Sequence, residues 1–521
     1  MLGRKAQGKI YNFAADLIEP NLRDRPRKIA FIDADGAYCY AETAERVNRA
    51  GVSFLKLGLQ PGDRLALVML DGIDFVTTFL GAAKAGVIPV ALNTLLTSDD
   101  YAYMLVDSGA RAVVVSSALA RKVIEAAQKS GWAGQVVVAG AGGDTDLDLA
   151  ALMAAAPPRL KTHSTRADDI GFWLYSSGST GRPKGTPHRH DSPALTADLF
   201  ARDTFGLRES DIVYSAAKLF FAYGLGNALT FPMRMGATAV LCPDRVTPEI
   251  VNDILSRHKV TIFCGVPTLF GALLAFDKQS APQGPLRLCM SAGEALPADI
   301  GRLWKERTGV DIVDGIGSTE MLHIFVSNRP GAVRYGVTGR AVNGYDVKLL
   351  DEQGATLEGA GIGELYVRGP TMTSQYWNQP ERTAATFVDG WMKTGDKFQR
   401  HSDGSLQHLG RADDMLKVSG VWVSPTEVES ALLSHESVLE AAVVGVSDKD
   451  GLTKTKAFVV LRPGFEPGEA LAQSLQAHAK SKLAPFKYPR TIEFAAQLPR
   501  TATGKIRRHV LRDTAGITDL Q

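Results

Sequence analysis

The chain has 521 residues, and its 58 basic and 56 acidic residues leave a formal net charge of +2. This length exceeds one ordinary hydrophobic core and predicts two or more domains. The small net charge, with no dense Lys/Arg block, excludes nucleic-acid binding through a strong positive field. Four cysteines without a Cys-x-x-Cys pair argue against a disulfide framework or a zinc site. Because we find neither a secretory signal nor an apolar run of roughly 18 residues, we expect a cytoplasmic protein with no membrane contact.

Short apolar runs alternate with amphipathic stretches from residue 64 to residue 117. This rhythm predicts a strand, a helix, a strand, a helix and a strand, at Arg64–Leu70, Asp74–Ala85, Val87–Leu92, Ser98–Asp107 and Arg111–Ser116. The glycine-rich segment 139–146 does not have the spacing of a dinucleotide fingerprint and predicts a surface loop. A similar alternation over 211–264 indicates a second wound sheet, and shorter, glycine-rich strands over 334–410 are typical of a small β-subdomain.

The most informative segment follows the apolar run 170–175 and reads Tyr-Ser-Ser-Gly-Ser-Thr-Gly-Arg-Pro-Lys-Gly over 175–185. Its glycines allow backbone N–H groups to turn toward one point, its hydroxyls add donors, and its lysine brings a positive charge to phosphate oxygens. Gly185 stands where a Walker loop has a Ser or Thr, which excludes a Walker-type NTPase. A flexible linker is the alternative, but it has no use for the Pro-Lys-Gly ending. We therefore predict nucleotide binding by Ser176, Ser177, Gly178, Ser179, Thr180, Gly181 and Lys184.

Five further segments follow in a fixed order. They are Ser-Ala-Gly-Glu-Ala-Leu-Pro at 291–297, Asp-Gly-Ile-Gly-Ser-Thr-Glu at 314–320, Lys-Thr-Gly-Asp at 393–396, Gly-Arg-Ala-Asp-Asp at 410–414 and Pro-Arg-Thr-Ala-Thr-Gly-Lys-Ile at 499–506. Together with the phosphate segment they resemble the signatures of the adenylate-forming superfamily of acyl-CoA ligases, adenylation domains and luciferases. Six ordered signatures from residue 175 to residue 505 make this resemblance specific.

The resemblance implies an α/β fold in two parts. A large N-terminal domain, residues 1–410, would contain two wound α/β subdomains and a small β-subdomain. A hinge at 411–414, centred on Asp413, would connect it to a small mobile α+β domain, residues 415–521. In that domain the sequence predicts a helix at 427–433, strands at 439–446 and 457–461, and a helix at about 468–483.

By the same resemblance, ATP and Mg²⁺ bind the N-terminal domain. Glu320 would hold the metal, and the lysine of the last segment, Lys505, would contact the attacking carboxylate and the α-phosphate. The alternatives are a helix-capping role for Glu320, a solvated Lys505, and a surface ion pair for the ribose-binding residues. The remaining nucleotide positions are Ala292, Gly293, Glu294, Asp314, Gly315, Ile316 and Thr319, with Asp396 and Arg411 at the ribose.

CoA would bind after a rotation of the small domain about the hinge, which withdraws Lys505. The resemblance gives one wall of the pantetheine tunnel to the segment 417–422 and the CoA nucleotide to a later pair of residues. The positions that this implies are Lys417, Ser419, Gly420, Val421, Trp422, Tyr488 and Arg490.

Segments 92–105, 218–227 and 321–325 resemble the benzoate-CoA ligase branch of the superfamily. That branch would place the acyl ring among Ala222, Tyr223, Gly224, Gly317, His323 and Ile324. A narrow slot of aromatic and small residues suits a flat ring, although ordinary core packing is the alternative for the aromatic residues. Segment 186–196 departs from the branch, which leaves the ring substituents open among hydroxy-, halo-, methyl- and heteroaromatic acids.

His188 and His190 are two residues apart, a spacing that invites a metal interpretation. We reject this interpretation because no third ligand stands at a suitable spacing nearby.

The sequence therefore predicts an AMP-forming acid-thiol ligase of aromatic acid degradation. It would use ATP to convert benzoate or a substituted benzoate to an acyl-AMP, and then transfer the acyl group to CoA. The alternatives are an adenylation enzyme that loads a carrier protein and a non-catalytic nucleotide-binding regulator. The oligomeric state, including a homodimer, is open.

Overall fold

The computed structural model describes residues 8–140, 147–178, 181–276, 284–418, 421–447, 453–484, 487–500 and 506–518. Five predicted site residues, Ser179, Thr180, Ser419, Gly420 and Lys505, lie outside the described residues. Most of the predicted loop at 139–146 also lies outside them.

The first part of the chain alternates helices with strands. Its elements are α1 (Phe13–Asp24), β1 (Ile29–Ile32), β2 (Ala37–Cys39), α2 (Tyr40–Lys56), β3 (Arg64–Val68), α3 (Ile73–Lys84), β4 (Ile88–Ala91), α4 (Ser98–Ser108), β5 (Ala110–Ser116), α5 (Ser117–Ser130), β6 (Gln135–Ala139) and α6 (Leu149–Ala154). The five elements predicted between residues 64 and 117 are therefore confirmed, each to within about two residues at its ends.

Local sequence explains where these helices begin and end. At the start of α4, the Thr97 hydroxyl accepts a hydrogen bond from the Asp100 N–H, and the Asp100 carboxylate accepts one from the Thr97 N–H. This reciprocal capping satisfies two N–H groups that the helix leaves unpaired. The helix ends at Gly109, whose φ of 58° is left-handed and favours glycine.

The middle of the chain contains the segments of the candidate site. Its elements are β7 (Ile170–Gly178), β8 (Gly181–Arg189), α7 (Ser192–Thr196), a π-helical segment (Ala197–Phe205), β9 (Ile212–Ser215), α8 (Ala222–Leu225), a second π-helical segment (Gly226–Thr230), α9 (Phe231–Met235), β10 (Thr238–Val240), α10 (Pro248–Arg257), β11 (Ile262–Gly265), α11 (Pro267–Phe276), β12 (Leu288–Ser291), α12 (Ala298–Thr308), β13 (Ile312–Gly317), β14 (Ile324–Ser327) and β15 (Arg340–Ala341).

The strands of these first two parts of the chain form two largely parallel sheets among the described residues. One has six strands in the order β6-β5-β3-β4-β7-β8, and the other has nine in the order β15-β14-β13-β12-β11-β9-β10-β1-β2. Antiparallel pairs occur only toward their ends, such as β7 with β8 and β13 with β14. In open sheets of this kind ligands bind at the carboxyl ends of the parallel strands.

A small antiparallel sheet follows, as the glycine-rich strands predicted. Its strands are β16 (Asp346–Leu350), β17 (Gly361–Arg368), β18 (Phe387–Val388), β19 (Trp391–Arg400) and β20 (Leu406–Arg411). The helix α13 (Pro380–Thr386) directly precedes β18.

The last part of the chain mixes short sheets with helices. Its elements are β21 (Leu416–Val418), β22 (Val421–Val423), α14 (Pro425–Leu433), β23 (Val438–Ser447), β24 (Thr453–Leu461), α15 (Glu469–Lys482), β25 (Thr491–Phe494) and α16 (Arg508–Thr518). Its buried apolar residues form two clusters of their own, while four other clusters fill the part before residue 407.

The predicted fold class, an α/β protein with a large N-terminal part and a small α+β C-terminal part, is confirmed. The domain boundaries at 410 and 414 stay predictions. None of the helices that the structure describes is long and apolar enough to cross a membrane.

Candidate active site

The predicted phosphate segment forms the end of the hairpin β7–β8. Ser176 pairs with Lys184 across the hairpin, and Gly178 pairs with Gly181. The sequence indicated a loop here, but the described part consists mainly of hairpin arms, since antiparallel pairing continues into the glycine-rich stretch. Because β7 runs parallel to β4, this end of the hairpin lies at the carboxyl edge of the six-stranded sheet.

Lys184, Glu320 and Tyr376 meet beside this hairpin. The Tyr376 hydroxyl donates a hydrogen bond of 2.7 Å to Glu320 Oε1 and accepts one of 3.1 Å from Lys184 Nζ. Lys184 Nζ also lies 3.6 Å from Glu320 Oε1 and 4.2 Å from the centre of the Tyr376 ring. The structure thus brings together the predicted phosphate-binding lysine and the predicted metal-binding glutamate. Sequence reasoning missed Tyr376, although the aromatic pair Tyr376–Trp377 in a polar segment was a usable signal.

Glu320 has the chemistry of a magnesium ligand. Burial alone would raise the pKa of Glu320, but the Lys184 ammonium and the Tyr376 hydroxyl reverse this effect and hold the pKa below its usual range. The carboxylate is therefore ionised. Mg²⁺ is commonly held by one or two carboxylates together with substrate phosphates, which a single glutamate beside a phosphate-binding hairpin fits. Within the described ranges, no three His, Cys, Asp or Glu side chains are grouped as an all-protein metal site.

The predicted adenine-side residues lie on, or directly after, two neighbouring strands. Ala292 and Gly293 follow β12 directly, and Asp314 pairs with Ser291 across β12 and β13. Asp314 is 8% exposed, and its Oδ1 atom has no hydrogen-bond partner among the residues that the structure describes. Burial raises the pKa of Asp314 well above its usual range. A buried oxygen without a partner fits a site that a polar ligand group completes.

Glu294 connects this segment to the C-terminal part of the chain. Burial lowers the pKa of the Arg508 guanidinium. The carboxylates of Glu429, Asp414 and Glu294 outweigh this effect, so the pKa is raised. Arg508 begins α16 and follows the predicted adenylation lysine by three positions. A described residue close in sequence to Lys505 therefore interacts with the adenine-side segment.

The two residues predicted at the ribose, Asp396 and Arg411, lie side by side, and their ribose-binding role stays a prediction. Asp396 on β19 and Arg411 on β20 are direct cross-strand partners, and Arg411 Nη1 donates to Asp396 Oδ1 at 3.3 Å. Arg411 also donates to the Thr394 carbonyl at 2.9 Å. Gly395 has a φ of 72°, and a Cβ there would lie 2.6 Å from Arg411 Nη2. Glycine adopts this left-handed backbone conformation without strain, and its missing side chain leaves room for the Arg411 guanidinium.

Two of the predicted acyl residues, Tyr223 and His323, belong to one aromatic cluster. His323 is 3% exposed, and its ring centre lies 5.7 Å from that of Tyr223. Phe200 and Phe231, which sequence reasoning missed, approach the same ring at 5.3 and 4.4 Å. Burial lowers the pKa of His323 to about 3, so the ring is neutral at physiological pH. The cluster is a buried aromatic environment that contains a neutral imidazole.

Backbone atoms leave no room for a side chain at two of the predicted small residues, Gly224 and Gly317. A Cβ on Gly224 would lie 2.1 Å from the Lys218 carbonyl oxygen, and one on Gly317 would lie 2.5 Å from the His323 carbonyl oxygen. Gly317 pairs with Ile324 across β13 and β14. Leu322, a non-glycine residue, has a φ of 66°. Left-handed backbone of this kind is characteristic of functional sites, and here it immediately precedes His323.

The two histidines of the rejected metal interpretation pack into the core. His188 stacks on Phe172 at 5.2 Å, and His190 lies 5.3 Å from the Phe13 ring. The Phe13 N–H donates to His190 Nδ1 at 3.4 Å. Burial lowers the pKa of each histidine to about 4.

The predicted CoA-binding residues lie on the C-terminal part. The structure describes Lys417, Val421 and Trp422 only as backbone of the hairpin β21–β22. Arg490 donates to the Tyr488 hydroxyl and lies 4.1 Å from the centre of its ring, while Lys480 Nζ lies 4.3 Å from it. An aromatic ring beside two cationic side chains can bind a phosphorylated nucleotide through stacking and through positive charge.

The predicted hinge forms a backbone turn that Arg512 contacts. The Asp414 N–H donates to the Arg411 carbonyl at 3.1 Å, which places Asp413 at the third position of the turn. Arg512 of α16 lies 3.4 Å from both the Asp413 carbonyl oxygen and the Asp414 carboxylate. The side chain of Asp413 is 61% exposed.

Two family models match the chain. One, described as AMP-binding enzyme, matches residues 18–377, and the other, described as AMP-binding enzyme C-terminal domain, matches residues 427–505. The benzoate–CoA ligase of Thauera aromatica is 56% identical over 507 residues, which cover 96% of this chain and 96% of the relative. The 4-hydroxybenzoate–CoA/benzoate–CoA ligase of Rhodopseudomonas palustris is 47% identical over 508 residues, or 96% of this chain and 94% of the relative.

Two solved structures are also similar along nearly their whole length. A benzoate CoA ligase from Burkholderia xenovorans has a TM-score of 0.90 at 48% identity and covers 96% of this chain and 100% of its own. An anthranilate CoA ligase in complex with anthranoyl-AMP has a TM-score of 0.95 at 42% identity and covers 98% of this chain and 99% of its own.

Proposed function

Because this chain belongs to the AMP-binding enzyme family, we propose that it is an ATP-dependent ligase that converts a benzoate-type acid to its CoA thioester. The observation that carries the aromatic substrate is the buried aromatic cluster in which the rings of Tyr223 and His323 lie 5.7 Å apart, beside glycines whose positions leave no room for a side chain. Such surroundings suit a flat ring better than a long alkyl chain. The relatives named for benzoate and anthranilate support the same substrate class.

The first half-reaction joins two anions, so positioning and positive charge must lower its barrier. Lys184 binds the β- and γ-phosphates. Glu320 would hold Mg²⁺, which when bound would neutralise charge on the phosphate oxygens. The substrate carboxylate attacks the α-phosphorus, with Lys505 beside both groups, and pyrophosphate leaves.

The nucleotide is oriented by groups that surround its base and its ribose. Asp396 accepts hydrogen bonds from the ribose hydroxyls, and Arg411 holds that carboxylate in place. On the adenine side, the unpartnered Oδ1 of Asp314 pairs with a polar edge of the base.

The second half-reaction needs a different face of the C-terminal domain, residues 415–521. Rotation about Asp413 withdraws Lys505 and presents the segment 417–422 as a wall for the pantetheine arm. Tyr488 and Arg490 contact the CoA nucleotide. The CoA thiol then attacks the acyl carbon of the aryl-AMP, and AMP leaves.

A pyrophosphate-release screen over aryl and alkyl acids, with and without CoA, tests this proposal. Benzoate-type acids should exceed octanoate in kcat/KM by at least about tenfold, since a slot that rejects a few methylenes discriminates by roughly 1–3 kcal/mol. Octanoate turned over as well as any aryl acid would overturn the substrate class. Failure to form a thioester on free CoA would indicate a carrier-protein loading enzyme, and no pyrophosphate release with any acid would indicate a regulator.

We also propose a cytoplasmic location, where ATP and CoA are available and where the four cysteines, all free in the structure, stay reduced. Light scattering at working concentrations tests the homodimer that the sequence leaves open.

A further inference from the structure

We propose that Tyr376 is a positioning residue that holds Lys184 and Glu320 together as a preformed site for the magnesium-bound phosphates of ATP. This inference rests on the proposed function and adds a residue that none of the sequence motifs contains. It is carried by three contacts that converge on one phenol.

The hydroxyl of Tyr376 has one proton and can donate only once. It donates to Glu320 Oε1 at 2.7 Å, so its oxygen is available as the acceptor for Lys184 Nζ at 3.1 Å. The direct distance between Lys184 and Glu320 is longer, at 3.6 Å. The phenol therefore connects the two charged groups through hydrogen bonds that are shorter than their direct contact.

The ring of Tyr376 makes a second contact with Lys184. Lys184 Nζ lies 4.2 Å from the ring centre, within the range of a cation–π interaction. A tyrosine phenol is protonated at neutral pH and so can donate this hydrogen bond. With one contact to the hydroxyl, the ammonium keeps further N–H groups for phosphate oxygens.

The backbone beside Tyr376 is hydrogen-bonded to the strand that carries Lys184. The Trp377 N–H donates to the carbonyl of Gly185, the residue after Lys184, at 2.8 Å. The Trp377 ring lies 4.3 Å from that of Trp173, and its Nε1 donates to the Asp107 carbonyl at 2.9 Å. The Tyr376 N–H donates to Thr383 Oγ1 at 3.0 Å. The phenol is therefore fixed in position relative to the phosphate hairpin before ATP binds.

Tyr376→Phe is the direct test because it keeps the ring and removes only the hydroxyl. A hydrogen bond to a charged group typically changes an equilibrium by about tenfold to a hundredfold. We expect the dissociation constant for MgATP, measured calorimetrically without any acid, to rise at least about tenfold. The reaction of presynthesised aryl-AMP with CoA should change less than about twofold, since it uses neither group.

Tyr40→Phe is the matched control. Its hydroxyl is also buried and donates to the Ala237 carbonyl at 2.7 Å, away from the proposed nucleotide site. This variant should bind MgATP as the unmodified protein does. An equal loss in the two variants, or an equal loss in both half-reactions of Tyr376→Phe, would mean that the hydroxyl acts through general stability and would overturn the proposal.

A double-mutant cycle gives a second, independent measurement. In a Glu320→Gln background, Tyr376→Phe should weaken MgATP binding by a smaller factor than in the unmodified protein, because one of the two charged groups that the hydroxyl connects is already gone. Additive losses would overturn the proposal, as would unchanged MgATP binding in Tyr376→Phe alone. A protein that binds MgATP but releases no pyrophosphate with any acid would refute the proposed function, while the binding measurements would still decide the role of Tyr376.

Discussion

His323 occupies the space that a side chain on Gly226 would need. A Cβ atom on Gly226 would lie 2.5 Å from His323 Cδ2 and 3.1 Å from Phe231 Cζ. Because real carbon atoms do not approach so closely, only glycine at this position leaves the imidazole where it lies. The two residues are far apart in sequence, and their contact helps to fix the position of His323 in the aromatic cluster.

Gly226→Ala should therefore damage aryl-acid binding. We expect overpacking to destabilise the protein by about 1–3 kcal/mol and to displace His323, raising the KM for benzoate several-fold or more. Gly271→Ala is the control, since its Cβ would make an ordinary contact of 3.4 Å with Ile300. Steady-state kinetics and urea unfolding of both variants provide the measurement. A benzoate KM unchanged by Gly226→Ala would contradict the assignment of His323 to the acyl-binding residues.

Lys505→Ala should separate the two half-reactions. Adenylation should slow by about a hundredfold or more, the order found when one preorganised transition-state donor is removed. The conversion of presynthesised aryl-AMP and CoA to the thioester should survive, and it serves as the internal control for folding. If both half-reactions fall together, Lys505 is structural rather than catalytic.

Asp413→Pro should leave adenylation largely intact and severely slow thioester formation. Proline holds φ near −65° and cannot follow a large backbone rotation at the hinge. Pyrophosphate exchange reports the first half-reaction, and aryl-AMP consumption with CoA reports the second.

Asp413→Ala is the matched control for the hinge. It removes the same exposed carboxylate, which lies 3.7 Å from Arg411 Nε, but leaves the backbone free to rotate. Equal losses in the two half-reactions of the proline variant would show that rotation at 413 does not switch the chemistry.

The stability of the protein should fall as the pH decreases from about 6.5 to about 4. Burial lowers the pKa of His188 and His190 to about 4 and that of His323 to about 3, so in this window the unfolded chain takes up protons that the folded chain does not. Each such histidine contributes about 1.4 kcal/mol per pH unit. Asp71 opposes them below about pH 6, because burial raises its pKa to about 6 and the folded state then binds the extra proton.

Three histidines against Asp71 and Asp314, whose pKa burial likewise raises, leave a net fall of about 1.4 kcal/mol per pH unit. Urea unfolding at pH 6, 5.5 and 5 measures it. His323→Phe should reduce the slope by about 1.4 kcal/mol per unit. A free energy of unfolding that does not depend on pH in this range would contradict the buried, neutral state of these rings.

The sequence by itself determined the features that depend on short stretches of chain. The strands and helices between residues 64 and 117 follow from the local alternation of apolar and polar residues, which burial on one face requires. The pairing of Asp396 with Arg411 was likewise predictable, because both residues belong to recognisable motifs whose roles require them to meet.

Only the tertiary structure decided which distant residues complete the site. Phe200 and Phe231 reach His323 from π-helical and helical segments about a hundred residues earlier, and Tyr376 reaches back to Lys184 over a separation of 192 residues. The hairpin geometry of the phosphate segment was also decided by pairing between β7 and β8 rather than by its glycines. The physical reason is that a motif records the chemistry of its own segment, whereas these contacts depend on how whole sheets and helices pack together.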